Sequence, residues 1–225
     1  MEQTALSTAM VARGMNNYSL FQLVSHALKR NERMKIAIID SGVYADHPHV
    51  GGIAGGIALV GDDLLDRLGH GTAIAGAIRE KVPQAEIYAV KVFDRRLSCS
   101  LEAIFRALEW CVENQMDIIN LSVGVRKEVA KIPGLPIVVT VPGVFPGAIT
   151  VRADENCPRD VFYYRDGIFY ASPYPRPIPG VPAERNLNGA SFAVANMTGF
   201  VARALAESPA EAIRPALIAK AASNP

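Results

Sequence analysis

Three short hydrophobic runs constrain the fold more than anything else in the chain. They are Lys35–Ile39 (KIAII), Glu86–Val92 (EIYAVKV) and Asp117–Val123 (DIINLSV). None shows the strict apolar–polar alternation of a strand with one wet face. Near-continuous hydrophobicity is typical of parallel strands covered on both sides. Leu101–Asn114 lies between the second and third, with Leu101, Ile104, Phe105, Leu108, Cys111 and Val112 at helical spacing. Two further strands are expected over Leu135–Val141 and Ala148–Val151, and helices over Phe192–Leu205 and Ala210–Ala222. Strands alternating with helices imply an α/β fold: a mainly parallel sheet, right-handed crossovers, and helices on both faces.

The length of 225 residues suffices for one sizeable domain with its own core. We expect a compact domain over 34–225. Residues 1–33 form an N-terminal extension, with a short helix over Ser19–Lys29 presenting Leu20, Leu23, Val24 and Leu28 on one face. A formal net charge of +1 gives no electrostatic case for nucleic acid or an anionic membrane. The 3 cysteines, Cys99, Cys111 and Cys157, are odd in number and lack C-x-x-C spacing. That argues against a disulfide framework or a zinc site, and no cofactor or metal is expected. No apolar run reaches the roughly 20 residues of a membrane span. The N-terminus lacks a basic stretch followed by a long apolar core, so a cytoplasmic setting is expected. Nothing in the pattern fixes an oligomeric state.

Between the regular elements, Val50–Leu59 reads as loop with a short strand, and Asp46-His47-Pro48 as a structural turn. Asp62, Asp63 and Asp66 read as solvated loop carboxylates. Asn156–Glu184, rich in Pro, Tyr and Arg, reads as long loop or irregular strand, its aromatics either lining a binding surface or packing over the sheet edge.

Three side chains stand where chemistry is usually placed. Asp40 ends the first strand, just before Ser41-Gly42, and open α/β sheets put functional groups at strand carboxyl ends. An Asx turn is the alternative. His70 stands between Gly69 and Gly71 at the start of a small-residue helix, and imidazole titrates near neutrality. A surface or capping histidine is the alternative. Ser191 follows Leu187-Asn188-Gly189-Ala190 and opens the helical run from Phe192. Free N–H groups and the helix dipole there favour developing negative charge, although serine is also a preferred N-cap.

The order Asp, His, Ser is that of the subtilisins. Together, I-I-D-S-G with D-H-P, G-H-G-T-A-I-A-G, the run from V-K-V-F to I-I-N-L-S-V-G, and N-G-A-S-F-A resemble the motifs of the subtilisin-like (subtilase, S8-type) serine peptidases, in register over most of 34–205. The resemblance implies a three-layer subtilisin-like fold and a serine endopeptidase of narrow specificity acting on a peptide or protein. It implies Ser191 as nucleophile, His70 as general base and then acid, and Asp40 as the group orienting the imidazole. It also implies that the backbone of Leu97, Ser98 and Cys99 and that of Ser122, Val123 and Gly124 flank an extended peptide by strand addition.

The chain departs from that pattern in four places. Where the family has an oxyanion-stabilising asparagine in an A-G-N turn, this chain runs Val139-Thr140-Val141-Pro142-Gly143-Val144-Phe145-Pro146-Gly147. Only Arg126–Lys131 stand where a preceding helix is expected. Ala73 stands where many members have a second histidine, and no pro-peptide is apparent. These departures leave a second reading: a pseudo-peptidase that binds an extended peptide or a partner protein without cutting it. Transfer of the acyl group to an amine would use the same three side chains.

Overall fold

Strand β1 (Lys35–Asp40) runs through the interior of an eight-stranded sheet. The computed structural model describes residues 33–122, 136–140, 148–182 and 185–223. The helix expected over Ser19–Lys29 lies outside them, and the residues discussed below belong to the compact unit Met34–Pro225. In chain order the other strands are β2 (Gly55–Ala58), β3 (Glu86–Lys91), β4 (Ile118–Leu121), β5 (Ile137–Thr140), β6 (Ile149–Ala153), β7 (Tyr163–Arg165) and β8 (Ile168–Ala171). Their spatial order is β2-β3-β1-β4-β5-β6-β8-β7. Every pairing is parallel except the β7–β8 hairpin.

Among the described residues four helices cover the sheet: α1 (His70–Lys81), α2 (Leu101–Glu113), α3 (Ala190–Leu205) and α4 (Ile213–Lys220). The side-chain period of 2 explains why they lie on both faces. Ile36 and Ile38 of β1 point into one core, with Ile74 and Ile78 of α1 and Phe192 and Val201 of α3. Ala37 and Ile39 point into the other, with Ile104 and Leu108 of α2. Each of these isoleucines is almost fully buried, a contribution of about 1.5–3 kcal/mol per side chain. The α/β architecture expected from the hydrophobic runs, with helices on both faces, is the one observed.

Two expectations need correcting. Asn156–Glu184 contains regular structure: β7 and β8, joined at Asp166-Gly167, both at positive φ (49° and 81°). That conformation suits a two-residue hairpin turn. Phe169 is fully buried on the sheet, and the hairpin carries β8 alongside β6. The final helix is also shorter than Ala210–Ala222. A 3-10 turn over Ala210–Ala212 precedes α4, and Pro215 sits in the first helical turn, where its missing N–H costs little.

One glycine sets how closely the end of β1 approaches α1. A Cβ at Gly71 would lie 2.2 Å from the Gly42 carbonyl oxygen and 3.3 Å from Ser41 Oγ. Gly71→Ala must therefore push the β1 turn away from α1, at a cost of about 1–3 kcal/mol. The expected readout is a lower urea midpoint for unfolding; an unchanged midpoint would show that the contact is slack.

Candidate active site

Asp40 is fully buried at the carboxyl end of β1. Its carbonyl accepts from Val92 N–H at 2.8 Å, which fixes the strand end against the segment after β3. Its Oδ1 accepts from Ser41 N–H at 2.8 Å and lies 2.8 Å from His70 Nδ1. Nδ1–H donating to the carboxylate leaves the Nε2 lone pair on the far side of the ring. Asp40 Oδ2 is buried without a hydrogen bond among the described residues.

The Ser41 hydroxyl sits between two carboxylates, 3.0 Å from Asp40 Oδ1 and 2.8 Å from Asp66 Oδ1, and accepts from Gly71 N–H at 3.0 Å. Asp66 is the organiser of this corner. Its Oδ1 also accepts from the N–H groups of Leu68 and Gly69, both at 2.9 Å. Its Oδ2 accepts from Thr72 N–H at 2.8 Å and Thr72 Oγ at 2.7 Å. Helix α1 begins at His70 itself, and its N-cap, Gly69 at φ 76°, offers no side chain. Ser41 and Asp66 satisfy first-turn N–H groups in its place, and the negative charge suits a helix N-terminus.

The solvated acidic cluster expected from the sequence is therefore corrected. Asp66 is consumed by the histidine corner. Asp63 pairs with Arg67 at 2.8 Å and with the fully buried Lys91 at 3.2 Å. The hydrogen bond from Arg67 holds the Asp63 carboxyl well below the usual range. Reaching Asp66 from sequence alone would have required seeing that Thr72 and Leu68–Gly69 fold back around it. The only signal was a carboxylate six residues ahead of the helix threonine.

Ser191 is not the N-cap of its helix. Helix α3 starts at Ala190 with Gly189 (φ 138°) as cap, and no side chain caps it. The next residue, Phe192, packs on the imidazole: the ring centroids of His70 and Phe192 are 5.4 Å apart. The elements carrying Asp40, His70 and Ser191 thus meet in one corner. Asp40 and His70 are hydrogen-bonded. Ser191 makes no such bond to His70 among the described residues.

Two buried polar links fix where α3 sits along its own axis, and sequence reasoning found neither. Lys81 Nζ, at the end of α1, donates to Asn196 Oδ1 at 2.6 Å, and Asn196 Nδ2 donates to the carbonyls of Ser172 and Tyr174 at 2.9 and 3.0 Å. Burial pushes the Lys81 ammonium down to about 8. On the sheet side, Asn120 Nδ2 of β4 donates to Thr198 Oγ at 2.9 Å.

Of the expected peptide-flanking residues, Leu97 and Ser98 are exposed after a bend, where Ser98 N–H donates to the Arg96 carbonyl at 2.8 Å. Cys99 is half-buried against the α2 core, and burial pushes its thiol up, away from the thiolate form. Ser122 Oγ donates to Asn120 Oδ1 at 3.1 Å. Val123 and Gly124, the segment Arg126–Lys131 and the loop 141–147 lie outside the described residues. Among the described residues no cluster of three His, Cys, Asp or Glu could hold a metal, and no helix is long and apolar enough to cross a membrane.

A mainly parallel sheet between two helical layers, with an Asp–His pair at a strand end beside the helix whose first turn carries Ser191, defines an α/β protein of subtilisin-like architecture. The solved structures agree. A lanthipeptide protease aligns with TM-score 0.63 at 17% identity, covering 81% of this chain and 79% of that one. A cold adapted subtilisin-like serine proteinase aligns with TM-score 0.64 at 19% identity, covering 84% and 82%. The sequence model of the Subtilase family matches residues 31–143, and the chain belongs to that family. It is 38% identical over 104 residues to the minor extracellular protease Epr of Bacillus subtilis (41% of this chain, 16% of that protein). It is 39% identical over 101 residues to a thermostable alkaline protease of Halalkalibacterium halodurans (40% and 27%) and 33% identical over 123 residues to subtilisin E of Bacillus subtilis (48% and 32%). The chain spans about a third or less of the length of these three relatives.

Burial draws the His70 pKa down, but the hydrogen bond and charge of Asp40, with Asp66 behind it, outweigh burial and leave it raised. A raised pKa means that the protonated imidazole is stabilised by folding. That stabilisation is complete below the unfolded value of about 6.5 and is lost as pH rises through the folded pKa. In an NMR titration, His70 should titrate above an unfolded histidine, and Asp40→Asn should lower its pKa. An unchanged His70 pKa in Asp40→Asn would contradict the pairing.

Proposed function

We propose that the chain is a serine endopeptidase of the subtilase type, cutting peptide bonds in a narrow set of protein or peptide substrates through Asp40, His70 and Ser191. The observation that carries this reading is the 2.8 Å Asp40–His70 contact in a corner where the imidazole packs on the residue after Ser191. In the proposed reaction Ser191 Oγ attacks the scissile carbonyl while His70 Nε2 takes its proton. The oxyanion forms beside the Ser191 N–H at the head of α3, where first-turn amides lack intrahelical partners. His70 then passes the proton to the leaving amine, and water attacks the acyl-enzyme by the same route in reverse. Asp40 holds the Nδ1–H tautomer throughout. The Ser191 hydroxyl comes within hydrogen-bond reach of Nε2 as substrate binds, since such bonds tighten in the reacting complex.

The sequence Val139–Gly147 supplies no asparagine to the oxyanion. Loss of that donor costs about 10²–10³ in kcat, a figure measured in subtilisin itself. We therefore propose an enzyme slower than its relatives, suited to a dedicated substrate better than to general digestion. The same missing donor favours the second reading, a peptide-binding scaffold that does not cut.

Active-site labelling separates the two. A fluorophosphonate probe should attach to the folded protein slowly and stoichiometrically, with the adduct on Ser191 by mass spectrometry and none in Ser191→Ala. Folded protein that never labels would overturn the peptidase reading and leave the scaffold.

A further inference from the structure

A cavity of about 580 Å³ opens beside His70. Its lining includes Gly69, Thr72 and Ala73, which flank the histidine, and Leu187, four residues ahead of Ser191. Among the described residues lining it are none of Leu97, Ser98, Cys99 or Ser122. In the peptidase reading those residues flank one stretch of the extended substrate, and this cavity, on the other side of His70, is open to the rest of it.

Its walls are apolar, formed by Tyr44, Leu65 and Ile178, and its cationic groups are Arg176 and Arg185. Neither guanidinium is tied up in an ion pair or side-chain hydrogen bond among the described residues. The carboxylate in the lining, Asp66, is turned inward, with both oxygens accepting from Ser41, Leu68, Gly69 and Thr72. Glu80, behind His49, is paired with Arg159. Burial first, and then the charge of Arg176, push His49 below its ordinary value, so the positive field reaches into the cavity.

The loop bearing both arginines is knitted to the serine turn. Asn186 Nδ2 donates to the Arg176 carbonyl at 3.3 Å, Arg185 N–H to the Pro182 carbonyl at 3.0 Å, and Gly189 N–H to the Pro173 carbonyl at 2.9 Å. The backbone that carries both arginines is thus anchored to the turn before Ser191. Planar guanidiniums match carboxylates in a two-point geometry.

We infer that this cavity is a leaving-group-side subsite that selects a substrate with an acidic side chain just beyond the cut, held by Arg176 and Arg185. This rests on the peptidase reading for which half of the substrate enters, but not for the charge preference itself. Binding to Ser191→Ala protein therefore tests it without turnover. Fluorescein-labelled octapeptide pools, with Glu, Gln or Lys fixed at each position in turn, are titrated by anisotropy. Glu should be preferred over Lys at one position or two adjacent ones by about tenfold, the scale of one charge-assisted hydrogen bond. The preference should shrink as salt is raised and invert in R176E/R185E. The milder R176Q/R185Q, checked for an unchanged melting curve, should erase it. No Glu preference at any position, or a preference that survives R176Q/R185Q, would overturn the proposal. If wild-type protein fails to cut the Glu-containing pools while the binding preference holds, the peptidase reading falls and the acidic-peptide site stands.

Discussion

One hydroxyl proton shared between two carboxylates underlies the geometry of this protein. Ser41 Oγ bridges Asp40 and Asp66 while accepting the Gly71 amide, so the end of β1, the loop at 66–69 and the start of α1 are tied at a single atom. His70 is the first residue of α1, and its ring reaches Asp40 because those ties hold the helix start in place. A buried carboxylate needs donors, and here the donors and the imidazole come from one knot. Gly71 makes it possible, since a methyl group would collide with the Gly42 carbonyl.

The serine helix is positioned from the opposite direction. Its interior is apolar and packs on the sheet, which fixes its depth but not its sliding along its own axis. Directional bonds supply that. Lys81–Asn196 locks it to the end of α1, and Asn120–Thr198 locks it to β4. Such buried polar contacts add little net stability yet penalise any shifted arrangement, because a displaced Lys81 or Asn196 would be left buried and unpaired. The stem of Lys81 passes directly over Gly199, where a Cβ would meet it at 2.6 Å. The histidine helix is thereby registered on the serine helix at both of its own ends: His70 on Phe192, and Lys81 on Asn196.

What the sequence revealed follows from the range of the forces involved. The runs KIAII, EIYAVKV and DIINLSV report burial on two faces, a property of consecutive residues, and the parallel sheet could be read from them. Asp40, His70 and Ser191 stood out because glycines beside them mark backbone turns. Asp66 did not, because its partners become neighbours only when the loop closes around it; on paper it looks like Asp62. Asp166-Gly167 was a local signal for a hairpin that the surrounding Pro and Tyr residues obscured. Lys81–Asn196 joins residues 115 apart in sequence, and no periodicity announces such a pair.

In the proposed reaction Asp40, His70 and Ser191 act as one chemical unit. A double-mutant cycle on peptide hydrolysis tests it most directly, comparing His70→Ala, Ser191→Ala and the combined variant. Groups that work as a relay are strongly non-additive. Either single change should remove nearly all of the rate, and the second change should remove no more. Independent losses that multiply in the combined variant would show that the imidazole and the hydroxyl act separately.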